Sequence, residues 1–132
     1  MASEQVARVT APDPGSTDGG PGKRPVDLVH LSRYTLGERD LEREVLELFC
    51  TQSVLCLEQL RAAMSDKAWK DAAHSLKGSA SAIGAWRAAK AAERAEALQG
   101  DGLTQFRAAR ITEIETSLRE AEAYIVSLLD KG

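Results

Sequence analysis

The sequence predicts an all-α protein, an antiparallel up-and-down four-helix bundle with a short extra helix at its N-terminal side. Two observations indicate helices: all four prolines lie within the first 25 residues, and the remainder is nearly free of strand signals while its apolar residues recur at intervals of three and four. The connections between these segments are short. Because short connections between long amphipathic helices favour antiparallel neighbours, a bundle is the expected architecture.

Residues 1–25 differ in composition from the rest of the chain. Besides the prolines they contain four of the ten glycines, in the run TAPDPGSTDGGPGKRP. Such a segment cannot bury enough apolar surface to order itself, so we expect a flexible tail. The 132 residues suit one modest domain, which we place at residues 26–132.

Five helices are predicted in the domain. The first runs through VDLVHLSRYTL and stops at Gly37, and the second continues through residue 64. The third begins at Ser65 or Asp66, either of which can cap a helix, and ends at Gly84. The apolar stripe expected to bury the second helix comprises Leu41, Val45, Leu48, Phe49, Leu55, Cys56, Leu60 and Ala63.

The last two helices are predicted on either side of a glycine-rich turn. The fourth is the alanine-rich AWRAAKAAERAEALQ, whose small side chains allow close approach of its neighbours, and Gly100–Gly102 forms the turn. The fifth runs from about Thr104 to Leu129. Its expected buried stripe comprises Ile111, Ile114, Leu118, Ala121, Ile125 and Leu128.

Composition excludes several classes of function. A net charge of −3 and a pI near 5.4 provide no general attraction for nucleic acid or an anionic membrane. No apolar run could cross a bilayer, and the N-terminus lacks the apolar centre of a signal peptide, so we expect a cytoplasmic protein. Cys50 and Cys56 are expected to be core thiols, and without a Cys/His cluster no metal site is predicted.

The third helix contains an unusual combination of residues in its stretch AAHSLKGSASAIGA. With about 100° per residue and His74 at zero, the expected buried face falls between roughly 160° and 240°. His74 therefore points into solvent, and within about 60° of it lie Lys67, Lys70, Lys77, Gly78, Ser81 and the acidic Asp71. The residues assigned to the buried face are Trp69, Ala72, Leu76, Ala80 and Ile83.

Each residue type on this face has a chemical use. A neutral imidazole is nucleophilic near neutral pH and can form a covalent phosphoramidate. Lys77 or Lys70 can supply positive charge to a phosphoryl group. Gly78 costs the helix about 1 kcal/mol relative to alanine, but it leaves space beside the imidazole for a partner's active site. Conversely, a lone histidine is often structural and surface lysines often serve only solvation.

The other histidine and the two tryptophans are not assigned to the site. His30 has no lysine or glycine at the corresponding offsets, so we expect it to be a partly buried or surface residue. Trp69 and Trp86 are expected in the core rather than on a stacking platform.

The run His74-Ser75-Leu76-Lys77-Gly78-Ser79, followed by Ile83-Gly84-Ala85, resembles the motif of histidine-containing phosphotransfer (HPt) domains of bacterial phosphorelays. The resemblance covers about residues 26–129 and includes the entry helix and second helix. Trp86 and alanines stand where the family often has a leucine in the fourth helix, which affects packing more than chemistry. The resemblance implies that His74 is phosphorylated, that Lys77 stabilises the phosphoryl group, and that Gly78 provides clearance.

The function implied is that of a phosphocarrier between receiver-domain aspartates, without a kinase activity of its own because no phosphate-binding glycine loop is present. The expected partners are receiver domains of response regulators or a hybrid sensor histidine kinase. No cofactor is expected, since Mg²⁺ should be held by the partner receiver, and we expect a monomer. Docking is expected on the outer faces of the second and third helices, with Lys67, Lys70, Ser75 and Ser81 as docking residues.

Two alternatives remain open. One is a helical adaptor whose histidine is never phosphorylated, although an adaptor has no need of the His-x-x-Lys-Gly turn. The other is the dimerisation and phosphoacceptor bundle of a sensor kinase. That bundle would need a hairpin dimer seam and usually a following ATP-binding domain.

Overall fold

The computed structural model describes residues 24–98 and 103–130, and within these two ranges it contains five helices and no strand. The helices are α1 (Leu28–Thr35), α2 (Arg39–Ala62), α3 (Asp66–Ala82), α4 (Trp86–Glu96) and α5 (Leu103–Asp130). The predicted all-α fold is therefore confirmed. In this part of the chain, no helix combines the length and apolar character that a membrane crossing requires.

The four longer helices form the bundle. Each packs against the next along the chain, and α2 closes the ring by packing against α5, while the short α1 lies on α2. Turns of three residues connect α2 to α3 and α3 to α4, which makes these neighbours antiparallel. This is the four-helix bundle with an extra N-terminal helix that the sequence predicts.

Local capping explains where α1 and α3 begin. Asp27 accepts a hydrogen bond from the backbone N–H of His30, and Ser65 accepts one from the backbone N–H of Ala68 at 3.1 Å. Ser65, the first of the two predicted caps, is thus the N-cap of α3. Both caps satisfy backbone donors that the first helical turn leaves without an intrahelical partner.

Gly84 joins α1 to the turn between α3 and α4. Its backbone φ of +76° is in the left-handed region, and a Cβ at this position would lie 2.6 Å from the Cβ of Asp27. The backbone N–H of Asp27 donates to the Gly84 carbonyl at 3.0 Å, and its carboxylate accepts from the Trp86 indole at 3.0 Å. Only glycine allows the start of α1 to approach this turn so closely.

The observed helix ends differ slightly from the predicted ones. α3 ends at Ala82, two residues before Gly84, and α4 ends at Glu96, earlier than the predicted Gln99. The predicted turn Gly100–Gly102 lies outside the described residues. So does the predicted flexible tail, apart from Arg24 and Pro25.

The predicted core is largely confirmed, with one error in α2. On α3 and α5 the expected stripes are buried or half-buried throughout. On α2, however, Leu41, Leu48 and Leu55 are exposed, because the buried side of that helix is a neighbouring stripe. The buried side chains of α2 are Leu46, Phe49, Ser53, Cys56 and Leu60.

The remaining predictions about core residues have mixed outcomes. Trp69 is fully buried, whereas Trp86 is only half-buried and its ring meets that of His30 edge to face, with centroids 4.8 Å apart. Both cysteines are free thiols, Cys56 buried and Cys50 half-buried. Burial raises the pKa of each thiol, so neither is poised to react as a thiolate.

Candidate functional site

α3 presents His74 on the side opposite the core. All five residues assigned to the buried face of α3 are buried, and Ala73 is buried beside them. The His74 side chain keeps 69% of its surface exposed. An imidazole held on a rigid helix and open to solvent is accessible to the active site of another protein.

Gly78 lies one turn after His74 and has open space around it. A Cβ built at Gly78 would meet no atom within 4 Å. No close packing therefore requires glycine here, in contrast to Gly84. The helix surface beside the imidazole is therefore bare at this position.

Lys77 points from α3 towards α4 rather than directly into solvent. Its side chain is 34% exposed, and its Nζ lies 3.2 Å from Oε1 of Glu96. The positive charge that the sequence places near His74 is thus held in a defined position by a carboxylate.

Glu96, the last residue of α4, is the part of the site that the sequence reasoning missed. Its Oε2 lies 2.8 Å from Nδ1 of His74, and its side chain is 24% exposed. Burial alone would raise the pKa of this carboxyl, but hydrogen bonds with His74 and Lys77 outweigh it, so that the net pKa is lowered. The structure therefore brings His74, Lys77 and Glu96 together as one cluster.

An ionised carboxylate can only accept hydrogen bonds. In the neutral imidazole, Nδ1 must therefore carry the proton that it donates to Glu96, which leaves the lone pair on Nε2. Nε2 is the nitrogen free to attack an electrophile.

The residues predicted to dock a partner lie around this cluster. Lys70 and Ser75 are exposed and Ser81 is half-buried. Lys67 pairs with Asp71 at 2.7 Å, and this hydrogen bond raises the lysine pKa. On this face Lys67 and Lys77 are therefore both paired with carboxylates.

On α2, exposed leucines lie near the level of His74 along the bundle. On a wheel of α2, Leu48, Gln52 and Leu55 fall within about 60° of one another and away from the buried stripe. Leu48 is 58% exposed and Leu55 is 47% exposed. Leu55 and His74 lie at about the same distance from the turn between α2 and α3, roughly nine or ten residues on either side, so they stand at the same level of the bundle.

Among the residues that the structure describes, no group of three His, Cys, Asp or Glu side chains could hold a metal ion. A groove of about 170 Å³ lies elsewhere, between α2 and α5, and its lining does not include His74. The lining residues are Phe49, Cys50, Ser53, Val54, Leu57, Glu115, Leu118, Arg119 and Glu122.

Comparison with known proteins adds to this geometry. The family model described as the Hpt domain matches residues 44–124, more than half of the chain, and this range includes every member of the cluster. No curated protein matches the sequence significantly.

Two solved structures share the fold. Histidine-containing phosphotransfer protein B from Pseudomonas aeruginosa is 22% identical, covers 82% of this chain and 96% of its own, and superposes with a TM-score of 0.71. Histidine phosphotransferase ShpA from Caulobacter crescentus is 28% identical, covers 81% of this chain and 92% of its own, with a TM-score of 0.61.

Proposed function

Since the chain belongs to the Hpt domain family, whose members are phosphocarriers of phosphorelays and not kinases, we propose that it relays a phosphoryl group between receiver-domain aspartates through a phosphohistidine at His74. The observation that carries the proposal is the position of His74. Its imidazole is exposed opposite the core, with a lysine on one side and a bare glycine on the other.

The transfer needs only the groups that this surface and a receiver domain provide together. Nε2 of His74 attacks the phosphorus of an aspartyl phosphate, and the aspartate leaves as a carboxylate. Lys77 lies one turn away and offers positive charge to the phosphoryl oxygens. The Mg²⁺ that such a transfer requires is assigned to the acidic pocket of the receiver.

We assign the docking surface to the adjoining outer faces of α2 and α3. The exposed leucines Leu48 and Leu55 offer apolar contact area, while Lys70 and Ser75 offer polar contacts around His74. A receiver domain whose apolar patch borders an acidic active-site rim matches this arrangement. Such a contact is expected to be small and short-lived, as signalling encounters are.

The experiment is to incubate the protein with a ³²P-phosphorylated receiver domain and to test the label for the acid lability and base stability of phosphohistidine. We expect label on the unaltered chain and none on His74→Gln. The matched control is His30→Gln, which removes the other histidine and should retain the label.

Two results would contradict the proposal: label that persists in His74→Gln, or no label with any receiver tried. A receiver that binds the chain without transferring label would favour the adaptor alternative instead.

Lys77→Ala is expected to slow transfer or to shorten the lifetime of the phosphorylated chain, by about tenfold to a hundredfold, because a charge-assisted contact to the phosphoryl group is lost. Lys90→Ala is the control, since Lys90 is exposed on α4 and pairs only weakly with Glu93 at 3.7 Å. Equal kinetics for the two variants would remove Lys77 from the mechanism.

The docking surface is tested by Leu55→Glu, compared with Val126→Glu on α5, where the replaced side chain is similarly exposed. A charge at Leu55 should weaken receiver binding at least tenfold and leave the helical content unchanged. Equal binding by both variants would place the docking surface elsewhere.

A further inference from the structure

The groove between α2 and α5 has an apolar floor that is open to solvent. Phe49 and Leu118 are buried beneath it, and Leu57 is half-buried in its wall. At its edge Val54 keeps 51% of its surface exposed. The groove therefore leaves apolar surface in contact with water, and a ligand that covered this surface would gain free energy from its burial.

The size of the groove indicates the class of ligand. Pockets that enclose a cofactor or another small organic ligand usually measure about 300–1,000 Å³. The groove, at about 170 Å³, is too small for such a ligand. It suits the few anchor side chains that a polypeptide inserts into the surface of another protein.

The walls of the groove indicate the conformation of that polypeptide. Both walls are α-helices, whose backbone N–H and C=O groups are bonded within each helix. An extended segment would find no backbone partners there, whereas a helix satisfies its own backbone. An amphipathic helix also presents apolar side chains three and four residues apart on one face, which matches a groove between two helices.

One end of the groove carries two carboxylates, Glu47 and Glu122. Both are exposed and lie near Cys50, whose thiol pKa is raised mainly by burial and further by the negative charges of Glu122 and Glu47. Among the described residues neither carboxylate has an ion-pair partner. Arg43, one turn before Glu47, donates instead to the Leu129 carbonyl at 3.3 Å. This end of the groove is therefore negative.

The other end of the groove has the opposite balance of charge. Glu115 lies there between two guanidinium groups, 2.9 Å from Arg61 and 3.2 Å from Arg119. Two positive charges thus surround one negative charge. The groove is polarised along its length, so a ligand with its positive charges near Glu47 and Glu122 would be complementary to it.

We propose that the groove between α2 and α5 is a docking site for a basic amphipathic helix of a partner protein. Aliphatic side chains of that helix enter between Val54 and Leu118, and its lysine or arginine side chains meet Glu47 and Glu122.

This site is separate from the surface assigned to the receiver domain. Its lining does not include His74, and on α2 Val54 lies about 100° or more around the helix from Leu48 and Leu55. A helix bound in the groove leaves the imidazole accessible. The site can therefore hold the chain on a partner whether or not His74 carries a phosphoryl group.

The test measures binding of a fluorescein-labelled helical peptide of leucine and lysine to the full chain by fluorescence anisotropy. The peptide has leucine at every third and fourth position. A second peptide with glutamate in place of lysine should bind at least tenfold more weakly, because its charges face Glu47 and Glu122. No binding of the lysine peptide, or equal binding of both peptides, would overturn the proposal.

The carboxylates are tested separately. Glu47→Gln and Glu122→Gln should each weaken binding of the lysine peptide by about two- to fivefold, as expected for exposed ion pairs. The control is Glu120→Gln, which changes the net charge equally but removes a carboxylate that pairs with Arg87 of α4 at 3.0 Å. Equal losses in all three variants would show that the peptide responds only to overall charge, which would contradict the proposal.

The apolar floor is tested by a matched pair of neighbours on α2. Val54→Ser should weaken peptide binding about fivefold, whereas Leu55→Ser, at a position of similar exposure, should leave it unchanged. Cys50→Leu, which fills part of the groove, should weaken binding at least tenfold. Circular dichroism establishes that the three variants keep their helical content. A loss in Leu55→Ser alone would place the peptide on the surface assigned to the receiver and overturn the proposal.

Two further measurements distinguish a partner from other occupants of the groove. Sedimentation should show a monomer, and a synthetic peptide of residues 1–23 should not displace the labelled peptide. A dimer that Cys50→Leu abolishes would identify a second copy of the chain as the occupant. Displacement by the peptide of residues 1–23 would identify the chain's own N-terminal segment. Either result would overturn the assignment to a partner helix.

Discussion

The contact between α3 and α4 differs from the contact between α2 and α5 on the other side of the bundle. The first is formed largely by alanines, which we call the alanine seam, and the second by larger side chains that leave a groove of about 170 Å³. The buried alanines of these two helices, for which the contact is named, are Ala72, Ala73, Ala80, Ala88, Ala89, Ala91, Ala92 and Ala95.

The proposed site spans the seam and not the groove. Small side chains let two helix backbones approach closely, and a tightly packed contact has little freedom to slide or rotate. Glu96 can hold His74 and Lys77 only if α4 keeps its register against α3. The comparison indicates that the alanine-rich contact of the bundle lies where side chains on two helices must meet.

Replacement of Trp69 should give the largest loss of stability. Its ring is fully buried, its indole N–H donates to the Ala95 carbonyl at 2.7 Å, and Arg107 lies 4.8 Å from the ring centre. Trp69→Ala should lower the free energy of unfolding by about 3–5 kcal/mol. Trp69→Phe, which mainly removes the hydrogen bond, should cost about 1–3 kcal/mol. Chemical denaturation followed by circular dichroism measures both, and equal losses would show that burial of the ring contributes nothing beyond what Trp69→Phe already removes.

Substitution by leucine should change the free energy of unfolding differently in the seam and in the groove. Ala92→Leu would overpack a fully buried position and should lower the free energy of unfolding by about 1–3 kcal/mol. Cys50→Leu would fill part of the groove and should leave the stability unchanged or raise it by up to about 1 kcal/mol. Thermal denaturation of the pair tests the comparison directly, and similar losses in both would show that the two contacts are equally tight.

Substitution by alanine should change the free energy of unfolding in opposite directions at two glycines, one within α3 and one just after it. At Gly78 the added Cβ meets open space, so Gly78→Ala should raise the free energy of unfolding by up to about 1 kcal/mol, and a larger residue there should slow phosphotransfer. Gly84→Ala should lower the free energy of unfolding by about 1–3 kcal/mol, because of its positive φ and the approach of Asp27. A fall for Gly78→Ala in denaturation experiments would mean that this glycine is structural.

The smallest expected effect is the dependence of the free energy of unfolding on pH that arises from Glu96. Its pKa is lowered in the folded chain relative to the ordinary value of 4.5, so its stabilising contribution is complete above that value and is lost as the pH falls through the lowered folded pKa. The difference in free energy of unfolding between the unaltered chain and Glu96→Gln should therefore shrink as the pH is lowered from 4.5 through the lowered pKa of the folded chain. A difference that stays constant in acid would mean that the ion cluster does not stabilise the fold.

The sequence was sufficient to predict the orientation of α3. Its charged and apolar residues fall on opposite sides of the helix, so the periodicity identifies both the buried face and the exposed His74. α2 was harder, since leucines occur on two adjacent stripes. Leu41, Leu48 and Leu55 satisfy the same spacing rule as the residues that are actually buried.

Glu96 could not have been predicted from the local pattern. Its contact with His74 depends on how α4 is aligned along α3, and the buried alanines of both helices are too alike to specify one alignment over another by their pattern alone. The sequence did contain one indication of this contact, a carboxylate at the C-terminal end of the predicted fourth helix. It lies on the side of that helix that faces the third helix when the two pack antiparallel. That is a property of tertiary packing and not of helix periodicity.

The two tryptophans have a practical consequence because they report on different parts of the molecule. Trp86 donates to Asp27 beside the start of α1, whereas Trp69 lies under Arg107 near the turn between α2 and α3. Their fluorescence therefore provides two built-in optical probes at opposite ends of α3. Replacing either one with phenylalanine leaves a single emitter, with which the detachment of α1 can be observed separately from the opening of the bundle.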